Sequence, residues 1–185
     1  MTKQRGDTII EVMLAVAIFS LVAVGAMTIM NSGITMAQRS LEITLVRQQI
    51  DAQAEMLRYV HDRAREDAGG PYVTLWKNIK EATVTSGSPP LQLLNISQCP
   101  TVRISNSVAL VPGLNNTAIS LANEHTAPVT YAKIEGTQSQ GLSIQLTKVT
   151  GDKAYDAYIQ ACWDVPGLSR PMTIGTIVRL YDANA

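Results

Sequence analysis

Residues 6–30 read GDTIIEVMLAVAIFSLVAVGAMTIM, and this stretch decides the class of the chain. From Val12 to Met30 there are nineteen positions without a formal charge, and Thr8, Ile9 and Ile10 extend the run leftwards across one carboxylate, Glu11. About 22 helical residues at 1.5 Å each cover about 33 Å, enough for a hydrocarbon core of roughly 30 Å. Lys3 and Arg5 precede the run and the next basic residue is Arg39, so the positive-inside rule puts the N-terminus in the cytoplasm and the rest beyond the membrane. The run exceeds the apolar core of a cleaved secretory signal, and the NSGITMAQR that follows is a poor small-residue cleavage site. A plain signal-anchor helix fits the length and flanks but leaves Glu11 unexplained. An ionisable group in such a run costs about 2–3 kcal/mol at mid-membrane, less near an end, and calls for a partner.

The segment Gly6-Asp7-Thr8-Ile9-Ile10-Glu11 behind a short basic leader resembles the class III signal of type IV prepilins. The resemblance implies cleavage by a membrane-embedded prepilin peptidase between Gly6 and Asp7, and methylation of the new amino terminus at Asp7. It implies that Glu11 forms a subunit–subunit ion pair with the amino group of Asp7 in a neighbouring copy. A buried ammonium and a buried carboxylate are each costly alone and compensate as a pair, so the pair sets register between helices. The sequence departs from the family in one place, with Asp7 where Phe or Met is usual.

The helix is expected to continue. Residues 31–68 contain no proline and one glycine, Gly33, while Ile43, Val46, Ile50, Ala54, Leu57, Val60, Ala64 and Ala68 recur at spacings of three and four. Asp51 and Glu55 face Arg47 and Arg58 on the polar side, and Gly69-Gly70-Pro71 is a strong stop. The expected division is a leader at 1–6, a transmembrane or filament-core half-helix at 7–30, an amphipathic half at 31–68 and a β-rich head at 71–185. Ser20, Gly25 and Thr28 permit close helix approach or are ordinary membrane residues, and no proline precedes Pro71.

Beyond Pro71 the pattern shortens. Residues 72–82 suggest a short helix, and Ser86-Gly87-Ser88-Pro89-Pro90 a loop. Strands are expected at 101–105, 108–111, 129–134, 142–149, 155–163 and 173–181, separated by turn signals such as Pro112-Gly113, Asn115-Asn116, Glu135-Gly136, Gly151-Asp152 and Pro166-Gly167, with the last three forming an antiparallel meander. A long helix on such a sheet is the α+β layout of the type IV pilin fold. Cys99 and Cys162 lie outside the reducing cytosol in this topology. They are either two buried thiols or a disulfide, and the bridge is favoured because an exposed thiol is a liability there and heads of this family often carry such a staple.

The chain of 185 residues has 15 basic and 15 acidic groups, so it has no global attraction for nucleic acid. It contains no P-loop, GxGxxG, HExxH, CxxC or GxSxG motif. His61 and His125 read as surface residues, Trp76 and Trp163 as core, and Tyr131, Tyr155, Tyr158 and Tyr181 as strand residues. Asp152, Asp156 and Asp164 read as solvated turn residues rather than a calcium site, since their spacing is not that of an EF-hand. Asn95 and Asn115-Asn116-Thr117 match the glycosylation pattern, which has meaning only in a host with that pathway. The sequence therefore reads as a structural subunit and not an enzyme, with no cofactor and no metal. The resemblance implies as partners the prepilin peptidase, other pilin subunits, a separate assembly ATPase with a platform membrane protein, and membrane lipid before assembly. Its location is then the inner membrane, followed by an extracellular pilus or a periplasmic pseudopilus. The missing proline and the acidic Asp7 point to a minor pilin, and Glu11 argues against a tip subunit of the kind that lacks this residue. The alternatives are a pseudopilin of a type II secretion system and an anchored binding module that never polymerises.

Overall fold

The computed structural model describes residues 9–84, 97–113, 118–149 and 153–182. The expected loop at 86–90, the turns at Asn115-Asn116 and Gly151-Asp152, and Asn95 lie outside these residues. Two helices come first, α1 (Ile9–Glu66) and α2 (Pro71–Thr83). Eight strands follow: β1 (Leu110–Pro112), β2 (Ile119–Leu121), β3 (Glu124–Thr126), β4 (Lys133–Glu135), β5 (Gln138–Gln140), β6 (Leu142–Lys148), β7 (Ala154–Trp163) and β8 (Met172–Tyr181). The expected α+β layout, a long N-terminal helix and a C-terminal region rich in antiparallel strands, is that of the type IV pilin fold. The chain divides into two compact units, Met1–Leu41 and Glu42–Ala185.

In the first unit no described side chain is buried, so Phe19 and Leu21 stand 73% and 76% exposed. Helix is the form the sequence allows here, because only a helix satisfies the backbone of an apolar run from within. Gly25 and Gly33 interrupt the side chains without breaking it, and a Cβ at either would meet nothing within 4 Å.

In the second unit Val46, Ile50, Ala54, Leu57 and Val60 form the buried stripe of α1. Ile43 and Ala64 are half-buried, and Ala68 is exposed because the helix has already ended at Glu66. Arg63 and Arg65 in the last turn meet the negative end of the helix dipole. The amide of Gly69 then bonds the Asp67 carboxylate (3.2 Å) and that of Gly70 bonds the Asp67 carbonyl (3.1 Å). Pro71 opens α2 at a position where its missing N–H costs nothing. The stripe joins Trp76 and Ile79 of α2 and the buried residues Ile144, Leu146, Ala157, Ile159, Val178 and Leu180 in one core.

The sheet behind that core is the expected meander, in order β6–β7–β8, with Ile144 opposite Ile159 and Ala157 opposite Val178. Two smaller sheets accompany it, β1–β2 and β3–β5–β4. The hairpin turn between β4 and β5 is Gly136-Thr137, one residue beyond the expected Glu135-Gly136, with Gly136 at φ 60° and Glu135 still paired with Gln138. Gly141 (φ 70°) is required where β5 passes into β6, because a Cβ there would lie 2.2 Å from the Cys162 carbonyl oxygen.

Two expectations fail. Residues 101–105 form no strand, because the loop is fixed at Cys99 and turns through Asn106 at φ 57°. The strand expected at 129–134 shrinks to β4 at Lys133–Glu135. The unexpected strands β2, β3 and β5 have three residues each, too short for alternation to register, and β3 runs parallel to β5.

Three polar side chains dock the helix on the strands. Gln53, 1% exposed, donates from Nε2 to the Leu110 carbonyl (2.7 Å) and accepts at Oε1 from the Leu110 N–H (2.8 Å). Gln49 Oε1 accepts from the Ile134 N–H at 3.2 Å, and Glu42 Oε2 accepts from Trp163 Nε1 at 3.2 Å. Gln53→Leu keeps the volume and strands both Leu110 groups, so it should destabilise the head by about 2–4 kcal/mol. Gln49→Leu should cost about 1 kcal/mol. Urea unfolding of the detergent-solubilised chain, followed by near-ultraviolet circular dichroism, measures both, and equal losses would contradict the ranking.

Candidate functional site

Glu11 lies in the first turn of α1, where the positive end of the helix dipole favours a carboxylate. It is exposed, and between it and Arg39 no other charge interrupts the helix. Gly6 and Asp7 lie outside the described residues. Downstream of Glu11 the helix is long and apolar enough to cross a membrane, and that stretch is wholly unburied. Fully burying each such Leu, Ile, Val, Met or Phe side chain is worth roughly 1.5–3 kcal/mol. The surface therefore demands lipid or other apolar helices.

Three of its hydroxyls are already satisfied. Ser20 donates to the Val16 carbonyl (2.8 Å), Thr28 to Val24 (2.9 Å) and Thr35 to Asn31 (3.0 Å). Each bond returns four residues along the same helix, so these groups enter an apolar medium without an unpaired donor. Gly25 lies between two of them with open space around it.

In the head, Cys99 and Cys162 are joined by a disulfide with Cα atoms 5.6 Å apart, and both are buried. Ile104 packs against them. Asp156 and Asp164 do not meet: Asp156 is engaged by Arg179, and Asp164 lines a separate cleft with Arg170 and Leu168. Asp152 lies outside the described residues. Among the described residues no group of three or more His, Cys, Asp or Glu side chains is placed to hold a metal.

His61 corrects the sequence reading. It is 3% exposed and stacks edge-on against Trp76 with ring centroids 5.2 Å apart. Its Nδ1 lies 2.9 Å from Asp62 Oδ1. Trp76 Nε1 donates to Asp182 Oδ2 (3.2 Å), and Lys80 Nζ lies 3.6 Å from the same carboxylate. Burial, with the Asp182 charge behind it, raises the pKa of the neighbouring Tyr155. This cluster ties α1, α2 and β7 to the end of β8. A signal was present, since His61 follows Leu57 by four residues on the buried stripe. His125 also departs from the reading, standing half-buried on β3 rather than in a loop. Trp76 and Trp163 are core residues as expected, and Tyr181 is 65% exposed at the end of β8.

On the outer face of the meander Arg179 donates two bonds to Asp156, of 2.8 and 3.0 Å, from directly opposite positions on β8 and β7. The Arg179 hydrogen bonds hold the Asp156 carboxyl below its ordinary pKa, and the carboxylate in turn raises that of Arg179. A carboxyl whose pKa falls on folding adds stability above its unfolded value, near pH 4, that disappears as pH falls through the folded value. Asp156→Asn should therefore reduce stability at pH 7 and flatten its decline below pH 4, as urea midpoints across that range will show. A decline as steep as that of the parent would contradict the assignment.

Comparison with known protein families matches residues 1–27 to the prokaryotic N-terminal methylation motif, the class III signal of type IV pilins and pseudopilins. No curated protein and no solved structure matches the chain. The chain thus carries the signal of a pilin-like or pseudopilin-like precursor, which points to a structural subunit anchored by a single apolar helix.

Proposed function

We propose that the chain is a prepilin cut between Gly6 and Asp7 by a prepilin peptidase, methylated at Asp7, and assembled as a minor subunit of a type IV pilus. In this reading the head stands outside the inner membrane and the N-terminus faces the cytoplasm. The carrying observation is one carboxylate, Glu11, in the first turn of a helix whose following stretch, up to Arg39, is uncharged and unburied and which begins within the methylation motif. A charge there is tolerable in a bundle of like helices when the new amine of Asp7 in a neighbouring copy neutralises it. Residues 7–30 then supply the filament core, residues 31–68 its amphipathic continuation, and residues 71–185 the displayed head.

The division of labour follows from the bonding. The apolar surface of α1 exchanges lipid for neighbouring helices at little hydrophobic cost, so dispersion packing and one ion pair decide association. Extraction from the bilayer requires work, which a separate cytoplasmic ATPase acting through a platform membrane protein supplies. The acidic Asp7 and the helix without proline support the minor-subunit reading.

Mass spectrometry of the protein from cells with an active prepilin peptidase should find a chain beginning at N-methylated Asp7. Glu11→Ala should be processed normally yet enter sheared surface filaments at least roughly tenfold less, the loss expected when a buried ammonium loses its partner. An intact leader would overturn the processing, and normal incorporation of the variant would overturn the pairing.

A further inference from the structure

The head contains two basic side chains that converge on a small cavity lined by no acid. Residues 99–107 form a loop tied at several points: the disulfide at Cys99, the Ser107 hydroxyl donating to the Ile104 carbonyl (2.7 Å), and Gln145 Nε2 donating to the Ser105 carbonyl (3.3 Å). Val108 closes the loop by exchanging two backbone bonds with Ile144 (3.0 and 2.7 Å). Asn106 takes the left-handed conformation that lets the chain turn. Arg103 is therefore presented by a fixed loop. His125 on β3 lines the same cavity, held by the parallel register with Ser139 and by the Thr126 carbonyl accepting from the Gly141 N–H (3.0 Å).

Both line a small pocket, open to solvent on one side, with room for about 20 Å³, lined also by Ser107, Ser143 and Val102. Arg103 and His125 are the only titratable side chains in its wall, since Cys162 is in the disulfide. Neither has an ion-pair partner among the described residues. The neighbouring acid on β3, Glu124, accepts from Gln138 Nε2 at 2.6 Å and does not line the cavity. From β5 and β7 no charged side chain enters the wall. Burial, reinforced by the Arg103 charge, lowers the pKa of His125. A permanent guanidinium charge and an imidazole able to take up a proton, lining one space with no acid in its wall, describe a site complementary to an anion.

Size and shape narrow the anion. The space between the walls admits about one water-sized centre and is open to solvent on its outer side, so it seats one oxygen of a ligand whose remainder lies outside. Val102 at its edge is 71% exposed and offers apolar surface to a methyl or methylene group. We propose that the Arg103–His125 cavity binds a carboxylate, with one oxygen seated between the guanidinium and the imidazole and the alkyl stem lying on Val102. The source is either an acidic side chain of a partner protein or a free small carboxylic acid. Binding takes up a proton at His125, so it strengthens as pH falls from the value at which the complexed ring titrates to that of the free protein, which burial and Arg103 hold below the ordinary 6.5.

The test is a proton NMR titration of the imidazole resonances of the full chain in non-ionic detergent micelles, with His125→Gln identifying the signal and His61 as internal reference. Sodium acetate should raise the His125 midpoint by roughly 0.5 pH unit over sodium chloride at equal ionic strength, about a threefold preference for the charged ring. In Arg103→Gln the shift should vanish while the His61 signal stays in place, and Arg103→Lys should restore part of it. A blocked glutamate (N-acetyl, N′-methylamide) binding roughly tenfold more tightly than acetate assigns the site to a protein side chain, and acetate binding as well or better assigns it to a free acid. Equal midpoints in acetate and chloride, or an undiminished acetate shift in Arg103→Gln, overturn the proposal.

Discussion

The head is organised around the side-chain amide of Gln53. A three-residue strand such as β1 has too few ladder bonds to hold itself, and Leu110 lies in the core, where an unpaired N–H or C=O costs about 1–3 kcal/mol. Gln53 supplies both missing bonds from the helix and so does for β1 what a further strand would do. Because the amide has fixed geometry, it also sets where along α1 the strand sits. Gln49, one turn earlier, does the same for β4 at a single amide. Apolar packing gives the helix–sheet contact its strength, and these directional bonds give it its register.

The same chain shows the opposite arrangement in its first unit, where residues 9–41 bury nothing. The contrast is written in composition: glutamines and a histidine enter the buried stripe after residue 42, whereas the earlier run has one carboxylate at its beginning and hydroxyls that bond to their own helix. A single secondary-structure element thus carries two solvents' worth of design. One part is finished by its own head, and the other is completed by a surrounding apolar medium.

Much of this was legible in the residues. The absence of proline and the Gly69-Gly70-Pro71 stop place the end of α1 within two residues, and the spacing of Val46, Ile50, Leu57 and Val60 identifies its inner face. The meander was legible because β6, β7 and β8 are long enough to alternate and are separated by turn signals. The stripe could have placed Gln53 and His61 inside, but not what they bond or stack on, since those partners lie 57 positions away at Leu110 and on a different helix at Trp76. The short strands β3 and β5, with sequences EHT and QSQ, owe their conformation to neighbours rather than to propensity. The Arg103–His125 cavity was hidden for the same reason, because 22 residues separate two groups that only the tied loop and β3 bring to one pocket.

The inward bonding of Ser20, Thr28 and Thr35 has a mechanical consequence. Three hydroxyls committed to their own helix's carbonyls have no proton to offer a neighbouring helix, so along their turns an adjoining rod in hydrocarbon is held by dispersion and side-chain interdigitation.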